Sequence, residues 1–418
     1  MSDIRKLTKK DLQSFSEIAS GAFPGMGVAT KEDIEKLAEG LKKRHDSKIS
    51  TFYGLFKGKN LAGGMMLHNY RMNLFGHKVG CGGGGFLVVS LLHKKEHVGR
   101  DLCRFFMKES RKNGDLFTAL YPFRPDFYRD MGAGYGAKAS VYNFAPKDLP
   151  KNGSKKYLRE LTEKDIPKII DCFNTYADSR TGMFYDYEEY RIANMKRHAK
   201  SKYYGYKKDG KLLGYFALEF LKDNPHDFMK YETRINELIY LNRDVFESFL
   251  SFLHSQKDQI DRIQYITFDD TFHFLPKDPR NGSGKMYPSV YHETNVASIG
   301  IMYRIVNTKG LFKTLADRSF NDVSIRVKFD IKDTFLPENG KPFVVHFDNG
   351  YPTLKAATAK SDVTLKIDIA DFSSLILGAV DFNSLYDYKL AELSNSKYVE
   401  TLFRLFRTDR KPECWTHF

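Results

Sequence analysis

The chain has 418 residues, of which 42% are hydrophobic and 14% aromatic, enough to bury a core in each of two or three domains. Its 66 Lys and Arg residues outnumber its 52 Asp and Glu residues, which favours phosphate-bearing partners such as nucleotides, cofactors, nucleic acid or anionic lipid. The four cysteines (Cys81, Cys103, Cys172 and Cys414) form no Cys-x-x-Cys pair, which argues against a disulfide framework and a cysteine-based zinc site. Because there is no apolar leader and no run of about 18 apolar residues, we expect a cytoplasmic protein without a membrane span.

A repeat marks the start of two related segments. Residues 4–12 recur at 158–166, with identities at Arg5/Arg159, Leu7/Leu161, Thr8/Thr162, Lys10/Lys164 and Asp11/Asp165. Each copy carries Thr-x-x-Asp, the pattern of a helix N-terminal capping box, followed by apolar residues at helical spacing. Each copy therefore predicts a strand followed by a helix.

Two similar hairpins follow at nearly equal spacing in the two copies. The matching residues are Tyr53/Tyr204, Gly54/Gly205, Lys57/Lys208, Leu61/Leu212 and Gly63/Gly214. The second hairpin turns at Asp209-Gly210, a pair that favours the positive φ of a tight turn. We therefore predict duplicated α/β domains over 1–150 and 155–295, joined by a solvated linker at 146–156 that contains prolines, Asn152-Gly153 and lysines.

Residues 79–136 carry the pattern that is most informative about function. Four glycines at 82–85 lead into an apolar strand, 86–89, then a basic loop at 93–100 and an amphipathic helix at 101–109. A strand that turns through such a loop into a helix presents free backbone N–H groups and a helix dipole, which together bind phosphate. Lys94, Lys95 and Arg100 add positive charge there. A second strand (115–121) and a short helix (125–132) follow.

The second copy lacks this phosphate loop. Residues 236–246 pass from strand to helix without a glycine and with one basic residue, Arg243. We therefore expect catalysis in the first domain and a structural role for the second.

A third domain is predicted over 300–418. Residues 323–331 and 363–369 alternate between apolar and polar side chains, as half-buried antiparallel strands do, and residues 371–379 and 396–407 have helical spacing. Residues 302–307 are expected to open this domain. The fold predicted for it is α+β, with one sheet and helices on one face.

The first domain resembles the GNAT acetyltransferase superfamily. The segment Lys94-x-x-His97-x-Gly99 stands where that superfamily has (Arg/Gln)-x-x-Gly-x-(Gly/Ala), and Phe127-Tyr128 to Gly132 is similar to its Phe-Tyr-x-x-x-Gly-Phe segment. His97 departs from the pattern, since a glycine is usual at that position. The side chain of His97 is expected to crowd the pyrophosphate.

The whole chain resembles the Enhanced intracellular survival (Eis) family, which pairs two GNAT-like domains with a sterol-carrier-like domain. The resemblance implies a mixed α/β plus α+β fold and acetyl-CoA as acyl donor. No metal is expected, because no acidic or cysteine partners lie at convincing ligand spacing from His93 and His97. The resemblance also implies a primary amine as acceptor, which is aminoglycoside-like, polyamine-like or a lysine, and a homo-oligomer such as a hexamer; no nucleic-acid partner is expected.

The same resemblance assigns site residues. Tyr128 is the implied general acid and the α-carboxylate of Phe418 the implied general base. The implied cofactor-binding residues are Leu87, Val88, Val89, Lys94, Lys95, Glu96, His97, Val98, Gly99, Arg100, Phe123 and Arg124.

Two alternatives stay open on the sequence. One is another tandem-GNAT acyltransferase that uses a different acyl-CoA or a charged tRNA, which a basic chain would suit. The other is a non-enzymatic protein that binds lipid or another apolar ligand, with decayed GNAT halves, and His97 in the glycine position favours it.

Overall fold

A computed structural model describes residues 2–47, 49–221 and 230–418. It separates into two compact units, and each unit contains segments that are distant in sequence. One unit comprises the chain up to Gly136 together with Ile301–Lys411 and Thr416–Phe418, and the other comprises Ala137–Gly300 and Pro412–Trp415.

The first 136 residues alternate strands and helices. They form β1 (Ser2–Lys6), α1 (Asp11–Ala22), α2 (Lys31–His45), β2 (Ser50–Lys57), β3 (Asn60–Leu74), β4 (His77–Val89), α3 (Val98–Lys112), β5 (Phe117–Leu120), α4 (Pro125–Arg129) and β6 (Gly134–Tyr135). Helix α3 buries Val98, Leu102 and Phe106, which lie on one face at helical spacing. The predicted glycine run lies inside β4, whereas the sequence suggested that it precedes the strand.

The middle of the chain repeats this pattern. It forms β7 (Ala139–Phe144), β8 (Leu158–Leu161), α5 (Ile166–Ala177), α6 (Glu188–Arg197), β9 (Ser201–Lys208), β10 (Lys211–Leu221), β11 (Tyr231–Tyr240), α7 (Arg243–His254), β12 (Ile260–Thr267), β13 (Met286–Tyr287), β14 (Tyr291–His292) and β15 (Asn295–Ser298). Both predicted hairpins are present, as β2–β3 and β9–β10.

Matching contacts in the two sheets explain why the repeat conserves its glycines and leucines. In each hairpin a glycine lies under two leucine side chains, where an added Cβ would be too close to both. The distances from that Cβ position are 2.5 Å to Leu7 and 2.5 Å to Leu61 for Gly54, and 2.8 Å to Leu161 and 2.6 Å to Leu212 for Gly205.

The last segment completes one sheet and builds another. It forms β16 (Met302–Ile305), α8 (Thr308–Thr314), β17 (Ile325–Lys332), β18 (Phe343–Asp348), β19 (Tyr351–Lys355), β20 (Val363–Asp368), α9 (Ile369–Leu377), α10 (Phe382–Asp387), β21 (Ala391–Leu393) and α11 (Val399–Phe406). Its own sheet has the order β19-β18-β17-β20-β21. Phenylalanine rings fill its core, including Phe312, Phe329 and Phe372, whose centroids lie 5.1–6.4 Å apart.

Strand placement corrects three expectations. Strand β16 does not open the third sheet, because it pairs with β5 and β6 and gives the first sheet the order β1-β2-β3-β4-β5-β16-β6. Strand β7 precedes the expected boundary at residue 150, yet it pairs with β12 and β15 in the second sheet, whose order is β15-β7-β12-β11-β10-β9-β8. Strands β17 and β20, expected to belong to an antiparallel sheet, pair in parallel.

The predicted linker is also less solvated than its composition suggested. Leu149 is buried in the core of the second unit, and its carbonyl oxygen accepts a hydrogen bond from His254 Nδ1 at 2.8 Å. A single apolar side chain in a polar stretch gives no periodic signal, so the sequence did not reveal this contact.

Candidate active site

A cleft opens in the first sheet where β4 and β5 part. The two strands pair in parallel from Cys81 opposite Phe117 to Gly84 opposite Leu120. Strand β5 ends there, whereas β4 continues to Val89. In the described ranges, the edge of β4 beyond Gly84 therefore has no strand partner on its β5 side. Such an edge offers backbone N–H and C=O groups to an extended ligand.

A β-bulge shapes the same part of β4. Phe86 and Leu87 of β4 oppose a single residue of β3, Met65, and Phe86 has a φ of 49°. Bulges turn a strand locally and are common beside active sites. The result is a cavity of about 130 Å³, lined by Phe23, Met65, Gly84, Gly85, Phe86, Leu87, Cys103, Phe106, Leu120, Tyr121, Phe123, Tyr128 and Phe418.

The N-terminus of α3 is open to an anion. His97 stands at the N-cap with φ 61° and ψ 7°, and its side chain makes no capping hydrogen bond. The first backbone N–H groups of the helix, on Val98, Gly99 and Arg100, have no carbonyl partner within the helix. In the second copy, by contrast, Asn242 caps α7 by accepting a hydrogen bond from the Val245 N–H at 3.1 Å. Of these two helices, α3 is thus the one whose N-cap side chain leaves the first N–H groups uncapped, and an uncapped helix N-terminus suits an anion.

The backbone at His97 explains why a glycine is usual at this position. Its left-handed conformation is the one that a glycine adopts without strain, and the His97 side chain is exposed. Lys94 and Lys95 are exposed beside it. At Gly99, a Cβ would make ordinary contacts, the nearest of them 3.5 Å from Val89 Cγ2, which fits a position that accepts glycine or alanine.

Two residues of the predicted loop have partners of their own. Glu96 accepts hydrogen bonds from Lys57 Nζ and from His93 Nδ1, and these two groups hold the pKa of the Glu96 carboxyl below its usual range. Arg100 is exposed, and its guanidinium carbon lies 5.7 Å from the centroid of the Phe335 ring. Glu96 thus contributes little free negative charge, while Arg100 lies at the start of α3 rather than in the loop before it.

Helix α4 presents Tyr128 to the cleft. Tyr128 is 4% exposed, and burial is the main cause that raises the pKa of its phenol, so the phenol stays protonated at neutral pH. Phe123 is 62% exposed, and its ring meets that of Tyr128 edge to face at 5.7 Å. Arg124, predicted to bind cofactor, forms an ion pair with Asp126 at 2.5 Å.

Cys103 also lines the cleft, and it is a poor nucleophile. Burial raises the pKa of its thiol to about 12, so the reactive thiolate is scarce at neutral pH.

Phe418 lies in the same cleft, held by aromatic side chains. Its ring centroid is 5.0 Å from that of Tyr70, 5.4 Å from that of Tyr121 and 5.6 Å from that of His68. The Tyr121 hydroxyl donates a hydrogen bond to the carbonyl oxygen of Thr416 at 2.9 Å. The structure thus brings Phe418 and Tyr128 to one cavity, as the resemblance implies.

The glycine run of β4 makes room on both faces of the strand. A Cβ on Gly83 would lie 2.5 Å from Tyr70 Cε2 and 3.1 Å from Phe418 Cε2. On the opposite face, a Cβ on Gly84 would lie 2.8 Å from Phe106 Cε1. Neither Tyr70 nor Tyr121 stands in a sequence motif that marks it as a site residue. The run of consecutive glycines at 82–85 was the one available signal, because it predicts close packing on both sides of a strand.

In the ranges that the structure describes, no three His, Cys, Asp or Glu side chains come close enough to hold a metal ion. Within the same ranges, no helix is long and apolar enough to cross a membrane.

Comparisons with known families define the class of protein. Family profiles for an acetyltransferase (GNAT) domain match residues 3–136 and 179–305, and the profile for a sterol carrier protein domain matches residues 311–415. The chain is therefore an enzyme of the GNAT acyltransferase class, with two GNAT α/β domains followed by a sterol-carrier-like α+β domain. GNAT domains transfer an acyl group from a CoA thioester to an acceptor.

Solved structures share the fold of the whole chain. The chain shares its fold, over 100% of each chain, with a probable N-acyltransferase from Enterococcus faecalis (18% identity, TM-score 0.81) and a GCN5-related N-acetyltransferase from Anabaena variabilis (16%, 0.80). Over the same full lengths it matches Eis1 from Mycobacterium abscessus (16%, 0.78). No curated protein sequence matches the chain. Its architecture is Eis-like.

Proposed function

We propose that this protein acetylates primary amines with acetyl-CoA, by direct attack of the amine in a ternary complex. The observation that carries the proposal is that Tyr128 and Phe418 line the same cleft, at the point where β4 and β5 part. The proposed acceptors are aminoglycoside-like amines, polyamine-like amines or lysine side chains.

The acyl donor would lie along β4 and end at α3. The free edge of β4 at Leu87, Val88 and Val89 suits the amide groups of pantetheine, which can pair with it as a further strand would. The pyrophosphate would lie at the N-terminus of α3, where the N–H groups of residues 98–100 and the helix dipole favour an anion. The exposed Lys94 and Lys95 add positive charge at that end.

The proposed chemistry uses two groups of this chain for protons. The Phe418 carboxylate takes a proton from the ammonium of the acceptor, which frees the nitrogen lone pair. A backbone N–H of β4 polarises the thioester carbonyl as the C–N bond forms, in the manner of an oxyanion hole. The nitrogen of the new C–N bond then carries one surplus proton, which the Phe418 carboxylate takes after passing its first proton to solvent. Tyr128 donates its proton to the sulfur as the C–S bond breaks, and the resulting phenolate recovers a proton from solvent. Acetyl-CoA supplies the activated acetyl group.

The high pKa of Tyr128 fits this role. A phenol that stays protonated at neutral pH is available as a donor in every turnover. The leaving thiolate is formed inside the cleft, where burial makes an unprotonated sulfur costly. Proton transfer from Tyr128 neutralises the sulfur, and the phenolate that remains recovers a proton before the next turnover.

We also propose that the protein forms a homo-oligomer, as the resemblance implies. Exposed apolar side chains concentrate on the segment around β13, β14 and β15 of the second unit: Met286, Tyr287, Val290, Tyr291, Val296 and Ile299. Clustered exposed apolar side chains of this kind often mark an interface between chains. Sedimentation equilibrium would give the number of chains; a monomer would contradict the proposal.

The function is tested by mixing the protein with acetyl-CoA, a panel of primary amines and a thiol reagent. We expect CoA release that depends on the amine, and a CoA-dependent rise in melting temperature. Absence of both, across aminoglycosides, polyamines and lysine peptides, would contradict the proposal.

A further inference from the structure

One buried polar atom near the cleft has no role in the chemistry above, the Nε2 nitrogen of His68. His68 is 7% exposed. Among the residues that the structure describes, nothing hydrogen-bonds its Nε2. Buried polar atoms without a partner are uncommon and costly, so this nitrogen requires an explanation.

The other ring nitrogen is fixed by a neighbouring strand. Ser50 on β2 lies directly across from His68 on β3. The Ser50 Oγ and His68 Nδ1 atoms are 2.8 Å apart. A serine hydroxyl that donates to Nδ1 leaves the ring proton of a neutral imidazole on Nε2.

The free nitrogen lies beside Phe418. A Cβ placed on Gly85 would be 3.4 Å from His68 Nε2 and 3.7 Å from the backbone C atom of Phe418. Both groups therefore border the same small space, next to a residue that lines the cleft. The Tyr70 ring stacks on the imidazole at 5.2 Å with an interplanar angle of 18°, which fixes the plane of the imidazole.

The imidazole is neutral at the pH of the reaction. Burial is the main cause that lowers the pKa of His68 to about 3, and the positive charge of Arg44 adds to it. A neutral imidazole with Nδ1 bonded to Ser50 has one group left to offer, and the anionic carboxylate proposed at Phe418 is the complementary acceptor.

We propose that His68 is a positioning residue, whose Nε2–H donates a hydrogen bond to the Phe418 carboxylate and orients it for proton abstraction. Ser50 sets the tautomer that makes this possible. The inference rests on the proposed function, because it acts through the proposed base. It involves no bond change of its own.

Paired substitutions of His68 distinguish a role in orienting the Phe418 carboxylate from a role in packing alone. The amide nitrogen of glutamine can reach the place of Nε2, whereas that of asparagine is one carbon shorter. We expect His68→Asn to lower kcat about 10- to 100-fold with little change in KM for the amine or in acetyl-CoA affinity. His68→Gln is expected to restore most of the turnover. His77→Gln is the matched control, because His77 lies on the same hairpin but does not line the cleft. Its Nε2 hydrogen-bonds Asp317 Oδ1 at a distance of 2.7 Å.

Nitrogen-15 spectra of the wild-type imidazole test the inference without any variant. We expect Nε2 to carry the ring proton at neutral pH. An unprotonated Nε2 would overturn the inference, as would unchanged kcat in His68→Asn or equal losses in the Asn and Gln variants. If the wild type releases no CoA with any amine, the proposed function itself fails; if it turns over normally and only the His68 results disagree, the function stands.

Discussion

Replacing Gly83 by alanine should dislodge the residue that we place as the catalytic base. The new methyl group would lie 2.5 Å from Tyr70 Cε2 and 3.1 Å from Phe418 Cε2. The first distance is shorter than any stable contact between carbon atoms, so Tyr70 must move, and Phe418 packs against Tyr70 at 5.0 Å between ring centroids. Overpacking of this kind costs about 1–3 kcal/mol.

The loss should appear mainly in turnover. We expect Gly83→Ala to lower kcat about 100-fold, the usual effect of misplacing a catalytic group by about 1 Å, while acetyl-CoA binding at the N-terminus of α3 is retained. Gly40→Ala is the matched control, since a Cβ there, in α2, meets nothing within 4 Å. Steady-state kinetics and calorimetry with CoA measure the two effects. Full turnover in Gly83→Ala would refute the docking geometry.

Three further substitutions test separate parts of the account. Tyr128→Phe should lower kcat by about 10²- to 10⁴-fold with unchanged acetyl-CoA affinity, and undiminished turnover would remove Tyr128 as the acid. Arg191 forms buried ion pairs with Asp186 and, at 2.7 Å, with Glu237. Arg191→Met leaves both carboxylates without their partner and should lower the free energy of unfolding by about 3–5 kcal/mol. A variant as stable in denaturant as the wild type would contradict this. Burial raises the pKa of Asp115 from 3.8 to about 6. The folded state therefore binds that proton more tightly, and the stability of the wild type relative to Asp115→Asn should increase by about 2–3 kcal/mol as the pH falls from about 7 to 4. A difference that does not vary with pH would show that Asp115 does not titrate in this way.

Local signals in the sequence predicted much of the fold. Thr162 and Asp165 form the predicted capping box, with the Thr162 N–H bonded to the Asp165 carboxylate at 2.9 Å. Thr8 and Asp11 make the same contact at 2.7 Å. Such interactions join residues three apart, so a short motif is sufficient to reveal them.

The pairing of strands that are distant in sequence could not be predicted from the sequence. Alternation identified β17 as a strand, but its parallel pairing with β20 depends on which strands meet after the chain has folded. The same holds for β16, whose insertion between β5 and β6 no local pattern encodes.

Only some residues of the candidate site could likewise be predicted from a local motif. Tyr128 stands in a recognisable motif, and a chemical role could be assigned to it from the sequence. Tyr70, Tyr121 and His68 have no motif, because their relevance comes from their distances to Phe418. Only the folded chain brings these three rings into contact with Phe418.

Adding a single residue after Phe418 tests the central claim most directly. The extension removes the carboxylate from Phe418 and leaves the N-terminus of α3 and Tyr128 unchanged. We predict that the wild-type chain releases CoA from acetyl-CoA only when a primary amine is present, and that the extended chain binds CoA with wild-type affinity but does not turn over. Equal amine-dependent CoA release from the two chains would contradict the claim that the Phe418 carboxylate is the base.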